Sequence, residues 1–161
     1  MSQSTPQSHF AYPSVIERND TELAGVAPTL VEGLRVLHEG DPYILGQLAM
    51  NEGTSPHKAI NSTPDEPDYQ LLLKGAMILA ASETRAPITV GIGFPYATFQ
   101  ANREHAKMVV QNTTQIDYDA SPIGGNHDTL NPNIEQVVVV PEVEACMRAY
   151  QDLMQLSLIH I

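Results

Sequence analysis

The chain has 161 residues, which favours one domain able to bury a core without help from a metal or a disulfide. Nineteen acidic against eight basic residues give a formal charge of −11, which argues against nucleic acid or an anionic membrane as a direct partner. No apolar run approaches the ~20 residues of a membrane-spanning helix, residues 1–9 lack a signal-peptide core, and the single Cys146 cannot form an intrachain disulfide, so a cytoplasmic setting is expected.

Residues 1–9, rich in Ser, Gln, Thr and Pro, read as a disordered lead-in. Residues 10–16 form an apolar run broken by Pro13, suited to an edge strand, and residues 17–28 read as a loop. In residues 33–38, Leu34, Val36 and His38 alternate with Arg35 and Leu37. Glu39-Gly40-Asp41-Pro42 supplies turn chemistry and residues 43–45 return, which predicts a hairpin. One or two helical turns follow over 46–52, closed by Gly53.

After a loop at 54–64, Thr63-Pro64-Asp65-Glu66 fits a capping box with proline at the first helical position. The helix it opens runs to about Ser82. Tyr69, Leu72, Leu73, Ala76, Met77 and Ala80 form one stripe, widened by Leu71 and Ile78, so the helix is largely buried. Residues 88–92 are nearly all apolar, the pattern of a strand covered on both faces. A helix over 96–110, a strand over 113–118 and a Gly/Pro/Asn-rich loop over 121–133 follow. Four consecutive valines mark a strand over 134–140, and Pro141 turns it into a last helix over 143–156. Hairpins first and then strands alternating with helices predict an α/β fold, a mixed sheet with flanking helices.

The candidate sites divide by chemistry. Gly91 and Gly93, between a strand and a helix, with Asp117 and Asp119 further on, imitate a dinucleotide-binding crossover. The third glycine is missing and Phe94-Pro95 obstructs the backbone approach that a pyrophosphate needs, so close packing of a neighbour on the glycines is the stronger reading. No Walker loop and no G-x-S-x-G elbow occur. The six histidines, His9, His38, His57, His105, His127 and His160, lack metal-ligand spacing, so no metal site is expected. Cys146, in a helix without a flanking base, reads as a packing residue. Glu142 is different: it stands where a buried strand gives way to a helix, at the strand's carboxyl end, where open α/β sheets place ligands. It could orient or deprotonate a water beside a phosphate, or simply complement the helix dipole, and by spacing alone the dipole role is the stronger.

Five segments in one order add a resemblance. Residues 10–15 with Pro13-Ser14-Val15, residues 41–49 (DPYILGQLA), residues 68–80, residues 88–96 (ITVGIGFPY) continued by 100–107, and Val138-Val139-Val140-Pro141-Glu142 together resemble the N-terminal lobe of ParM/StbA-type actin-like proteins. The resemblance covers about residues 10–156 and implies a ribonuclease H-like lobe of an ATPase that forms cytomotive filaments, with ATP and Mg2+ as cofactors. It further implies plasmid segregation through self-association into filaments and a separate adaptor protein, with no direct contact to nucleic acid. In that family the glutamate matching Glu142 helps to activate water against the γ-phosphate, which reverses the preference for the dipole role. The family's D-x-G-x-G-N-x-K loop ahead of residue 10 and its D-x-G-G-x-T loop after the last helix have no counterpart here. The chain is therefore expected to be truncated at both ends, to bind no nucleotide tightly and to hydrolyse nothing by itself. Residues 157–161 resemble translated adapter sequence and are expected to be a non-native tail. Two rivals remain: a phosphotransferase of the same superfold, and a dinucleotide-binding oxidoreductase built on Gly91 and Gly93.

Overall fold

The structure, a computed structural model, describes residues 10–21, 27–60, 62–119 and 127–159. The expected lead-in at 1–9 lies outside them. The elements are β1 (Val15–Arg18), a 3-10 turn (Leu30–Glu32), β2 (Arg35–His38), β3 (Asp41–Leu45), α1 (Gln47–Glu52), β4 (His57–Lys58), α2 (Pro67–Glu83), β5 (Ile88–Phe94), α3 (Tyr96–Asn112), β6 (Ile116–Asp119), β7 (His127–Leu130), β8 (Ile134–Pro141) and α4 (Glu142–Ile159). They build two sheets. The larger is antiparallel, in the order β4-β1-β3-β2-β6-β7, and the smaller pairs β5 with β8 in parallel.

The hairpin forms on a tighter turn than its sequence suggests. Glu39 and Gly40 both have positive φ (53° and 86°), the geometry of a two-residue type I′ loop, and His38 pairs with Asp41 across it. Asp41 and Pro42 therefore belong to β3. Pro42 stands opposite Leu37, next to the hydrogen-bonded closing pair, so no ladder bond to β2 needs the N–H that proline lacks. The alternation holds: Leu34, Val36 and His38 are buried on one face.

Strand β1 corrects two expectations. It starts only at Val15, after a Pro13 carbonyl turn, and runs through Glu17 and Arg18. It is also not an edge, because β3 flanks it on one side and the short β4, read from sequence as loop, on the other. Its period of two divides the core. Ile16 and its partner Leu45 join the main cluster with Leu71, Ile78, Phe94 and Val110, whereas Val15 and Ile44 pack with Leu48 and Ala49 of α1. Tyr12 fits between two glycines. Added Cβ atoms would stand 3.0 Å from its ring at Gly46 and 2.7 Å from its hydroxyl at Gly75, and that hydroxyl donates to the Leu72 carbonyl.

The capping box does not form. Glu66 is extended (φ −76°, ψ 141°), α2 begins at Pro67, and the Thr63 hydroxyl meets Asp65 instead. The cause is the second proline, which pushes the residue before it out of the helical region and would leave an intrahelical bond unmade. The buried stripe is also rotated: Leu71, Gly75, Ile78 and Leu79 are buried with Met77, while Ala76 is exposed.

Strand β5 is covered on one face. Ile92 and Phe94 are buried and Thr89, Gly91 and Gly93 exposed, because α3 packs against one side of β5 and β8. Leu73, Ala76 and Ala80 of α2 instead line a groove of about 210 Å³ beside Ile88–Gly91. Strand β7 arises within the expected 121–133 loop by pairing with β6, Asp117 opposite Thr129.

Candidate functional site

Parallel pairing brings the carboxyl ends of β5 and β8 to one edge, with Phe94 in register with Pro141. Each strand passes directly into a helix there, α3 from Tyr96 and α4 from Glu142. Two helix N-termini, each with the partial positive charge of unpaired amides, thus start side by side at the ends of adjacent strands. Inside the strand end, the Phe94 ring is buried and stacks on Tyr69 of α2 at 6.1 Å and 10°. This stack fixes β5 against the body of the domain.

Glu142 is the first residue of α4 and is exposed. Its side chain lies over β5: a Cβ added to Gly93 would stand 3.1 Å from Glu142 Cγ. The glycine thus leaves room for the Glu142 side chain to lean against β5. This accounts for one of the two glycines by close packing, as expected. At Gly91 an added Cβ would meet nothing within 4 Å, and the packing explanation fails there.

The dinucleotide reading is overturned by topology. Asp117 and Asp119 stand on β6, which belongs to the other sheet and runs antiparallel to β2 and β7. A ribose-binding acid must end a strand parallel to the glycine-bearing one. Both carboxylates have local partners: Asp117 accepts from the Thr129 hydroxyl at 2.9 Å, and the buried Asp119 pairs with Arg35 Nε at 3.4 Å and His127 Nδ1 at 3.2 Å.

The described histidines have separate partners. His57 meets Asp68 at 2.9 Å and His105 meets Asp65 at 3.8 Å, both against the start of α2. Among the described residues no three His, Cys, Asp or Glu side chains converge on a metal-sized point. Cys146 is exposed on α4, which corrects its reading as a packing residue: α4 touches the body chiefly through β8 and β5 and leaves its flank to solvent.

Sequence reasoning missed one feature. His38, buried at the end of β2, accepts a hydrogen bond at Nδ1 from the Lys74 ammonium at 3.0 Å. Burial, then the Lys74 charge, lowers the His38 pKa below its ordinary value, and burial lowers that of Lys74. The signal was a lone lysine inside the apolar LLLKGAM run, one residue before a glycine.

The family model described as the N-terminal domain of actin-like proteins matches residues 2–143. Among solved structures, the fold is similar to that of Ta0583, an archaeal actin homolog, with a TM-score of 0.54 and 20% identity over 81% of this chain and 38% of that one. It is similar also to the apo psk41 ParM protein, with a TM-score of 0.54 and 15% identity over 83% of this chain and 43% of that one. The chain thus spans about two fifths of the length of these structures, and at such identities the likeness concerns the fold. No curated protein matches the sequence. With the family model extending over most of its length, the chain belongs to the actin-like proteins, whose N-terminal domain its α/β fold reproduces.

Proposed function

We propose that this domain is the water-activating part of an ATP-hydrolysing actin-like protein, and that Glu142 positions the attacking water. The observation that supports it best is the placement of the Glu142 side chain: exposed, at the carboxyl ends of two parallel strands, with its Cγ against Gly93 and at the N-terminus of α4. A carboxylate in that position can hold a water by one oxygen and take its proton as the water attacks. The adjoining helix ends favour negative charge nearby.

The residues present fit part of a nucleotide site. Glu142 suits the water side, whereas the chain contains neither glycine-rich phosphate loop of the resemblance. ATP with Mg2+ would supply the phosphoryl group that passes to water, and the groups that neutralise its charge are expected outside these residues. Because that neutralisation is the larger part of phosphoryl-transfer catalysis, residues 1–161 alone are expected to bind ATP weakly and turn over nothing. Self-association into filaments, a role in plasmid segregation, an adaptor protein and a cytoplasmic setting complete the proposal. They rest on the likeness to ParM and on the −11 charge, which suits a protein that leaves DNA contact to another.

The test is phosphate release and sedimentation of a full-length actin-like chain carrying this domain. ATP-dependent pelleting with phosphate release in the absence of any acceptor is the expected result. Phosphoryl transfer that requires a sugar or acid acceptor, without pelleting, would instead identify a kinase of the same superfold.

A further inference from the structure

Strand β5 has an open edge. Among the described residues it pairs with β8 alone. On its other side four consecutive residues, Ile88 to Gly91, line the groove shared with α2, so the groove follows the edge of the strand rather than one face. The edge carries none of the usual guards against strand pairing, since Ile88–Phe94 contains no charge and no proline. The uncharged stretch extends over residues 86–102, between Arg85 and Arg103, in a chain of net charge −11. Gly91, at the middle of the strand, has no explanation within one copy. An added Cβ would meet nothing within 4 Å, and among the described glycines positive φ is confined to Gly40 and Gly46. A glycine inside a strand otherwise marks the close approach of another backbone. Two residues past the strand, the Tyr96 side chain is 79% exposed.

We propose that this edge binds the same edge of a second copy, the two β5 strands pairing antiparallel about a two-fold axis through Gly91. Such pairing sets Ile88 opposite Phe94, Val90 opposite Ile92 and Thr89 opposite Gly93, so apolar residues face apolar ones and small residues face small. Gly91 faces its own counterpart on the axis. Continuing the register brings the exposed Tyr96 toward Ala86 and Pro87 of the second copy, which gives its ring the cover it lacks. No charge of either −11 chain lies within the paired segments, so repulsion is least at this place. The outer edge of β8 suits the same pairing less. Glu135 lies within that strand and Glu142 follows it, and a two-fold axis would bring those acids of the two copies together. One strand pair buries less than the ~1,600 Å² of a standard interface, so the dimer is weak. The inference is independent of ATP hydrolysis, and a closed two-fold pair differs from a filament because each copy uses up its free β5 edge.

The experiment is sedimentation velocity of residues 1–161 without nucleotide over a range of concentrations, with amide hydrogen exchange followed by nuclear magnetic resonance. A monomer–dimer equilibrium with a dissociation constant of about 10–100 μM is expected, and the outward amides of β5 should gain protection as the dimer forms. Gly91→Lys, for which the monomer has open space, sets two ammonium groups opposite each other and should weaken the dimer at least about tenfold. Tyr96→Ser, at an exposed position, should weaken it several-fold, and decides the matter if Gly91→Lys does not fold. Gln111→Lys, the same charge change near the far end of α3, should leave association unchanged. The proposal is overturned by a chain that stays monomeric at about ten times the expected dissociation constant. A dimer unaffected by Gly91→Lys and Tyr96→Ser, or growth beyond the dimer, overturns it as well. So does a monomer whose β5 edge amides are already protected, because the edge would then be covered within one chain.

Discussion

Glu17 offers the sharpest perturbation of the fold. It is 8% exposed, on the face of β1 turned toward α1. Its Oε1 accepts from Thr54 N at 3.1 Å, Thr54 Oγ1 at 2.9 Å and Ser55 N at 2.8 Å, tying the segment after α1 back to the sheet. Its Oε2 is buried without a partner. A Cβ on Gly53 would stand 2.2 Å from that oxygen and 2.3 Å from the Ala49 carbonyl oxygen, so the two oxygens are neighbours. Bonds to a charged acceptor are worth roughly 1.5–3 kcal/mol each, and the cost of burying the carboxylate offsets part of that gain. Glu17→Ala should therefore cost about 2–4 kcal/mol, seen in urea unfolding as a midpoint lowered by roughly 1–2 M. Glu17→Gln keeps one acceptor for the three donors and brings an amide N–H2 to the orphaned position beside Ala49, so its cost should stay below about 1 kcal/mol. Gly53→Ala drives a methyl group into the same space and should cost about 1–3 kcal/mol. A Glu17→Gln variant as unstable as Glu17→Ala would refute the reasoning, because acceptor geometry would then not be what holds the loop.

Three further outcomes follow from the structure. Glu39→Asn should stabilise the hairpin by about 0.5–1 kcal/mol in thermal unfolding, since asparagine tolerates the positive φ that glutamate adopts there. His38 has its pKa lowered by burial and by Lys74, so the unfolded chain takes up that proton first as pH falls below the ordinary 6.5. Stability is present above about pH 6.5 and lost below it, and His38→Gln should flatten that slope in unfolding midpoints measured across the window. Burial pushes the Tyr12 phenol well up from 10, so its contribution is present below about pH 10 and lost as pH rises further. Tyr12→Phe should cost about 1 kcal/mol at neutral pH and remove this alkaline dependence.

Elements whose signals are local were legible in the sequence. Turn residues at Glu39-Gly40, the closing Gly53 and the valine run placed β2, β3, α1 and β8 within a residue or two. What tertiary pairing creates was not legible: β4 and β7 are polar segments that become strands only because β1 and β6 present unpaired edges to them. The start of α2 was misplaced because the conformational effect of Pro67 on Glu66 outweighs a matching capping pattern. Its buried stripe was misjudged because apolar spacing shows which face is greasy, not how much of it the domain covers. At the candidate site, Glu142 was visible from the strand-to-helix junction and the resemblance. The room that Gly93 leaves for its side chain arises only from the parallel pairing of β5 with β8, and the Lys74–His38 contact from the approach of positions 36 residues apart.

The most direct measurement is ATP turnover alongside nucleotide affinity for Glu142→Ala in a full-length chain carrying this domain. Loss of a positioned base should lower turnover by about 10²–10⁴-fold with the dissociation constant for ATP unchanged within a few-fold. Turnover equal to that of the unaltered protein would contradict the assignment of Glu142 and leave it as a charge at the start of α4.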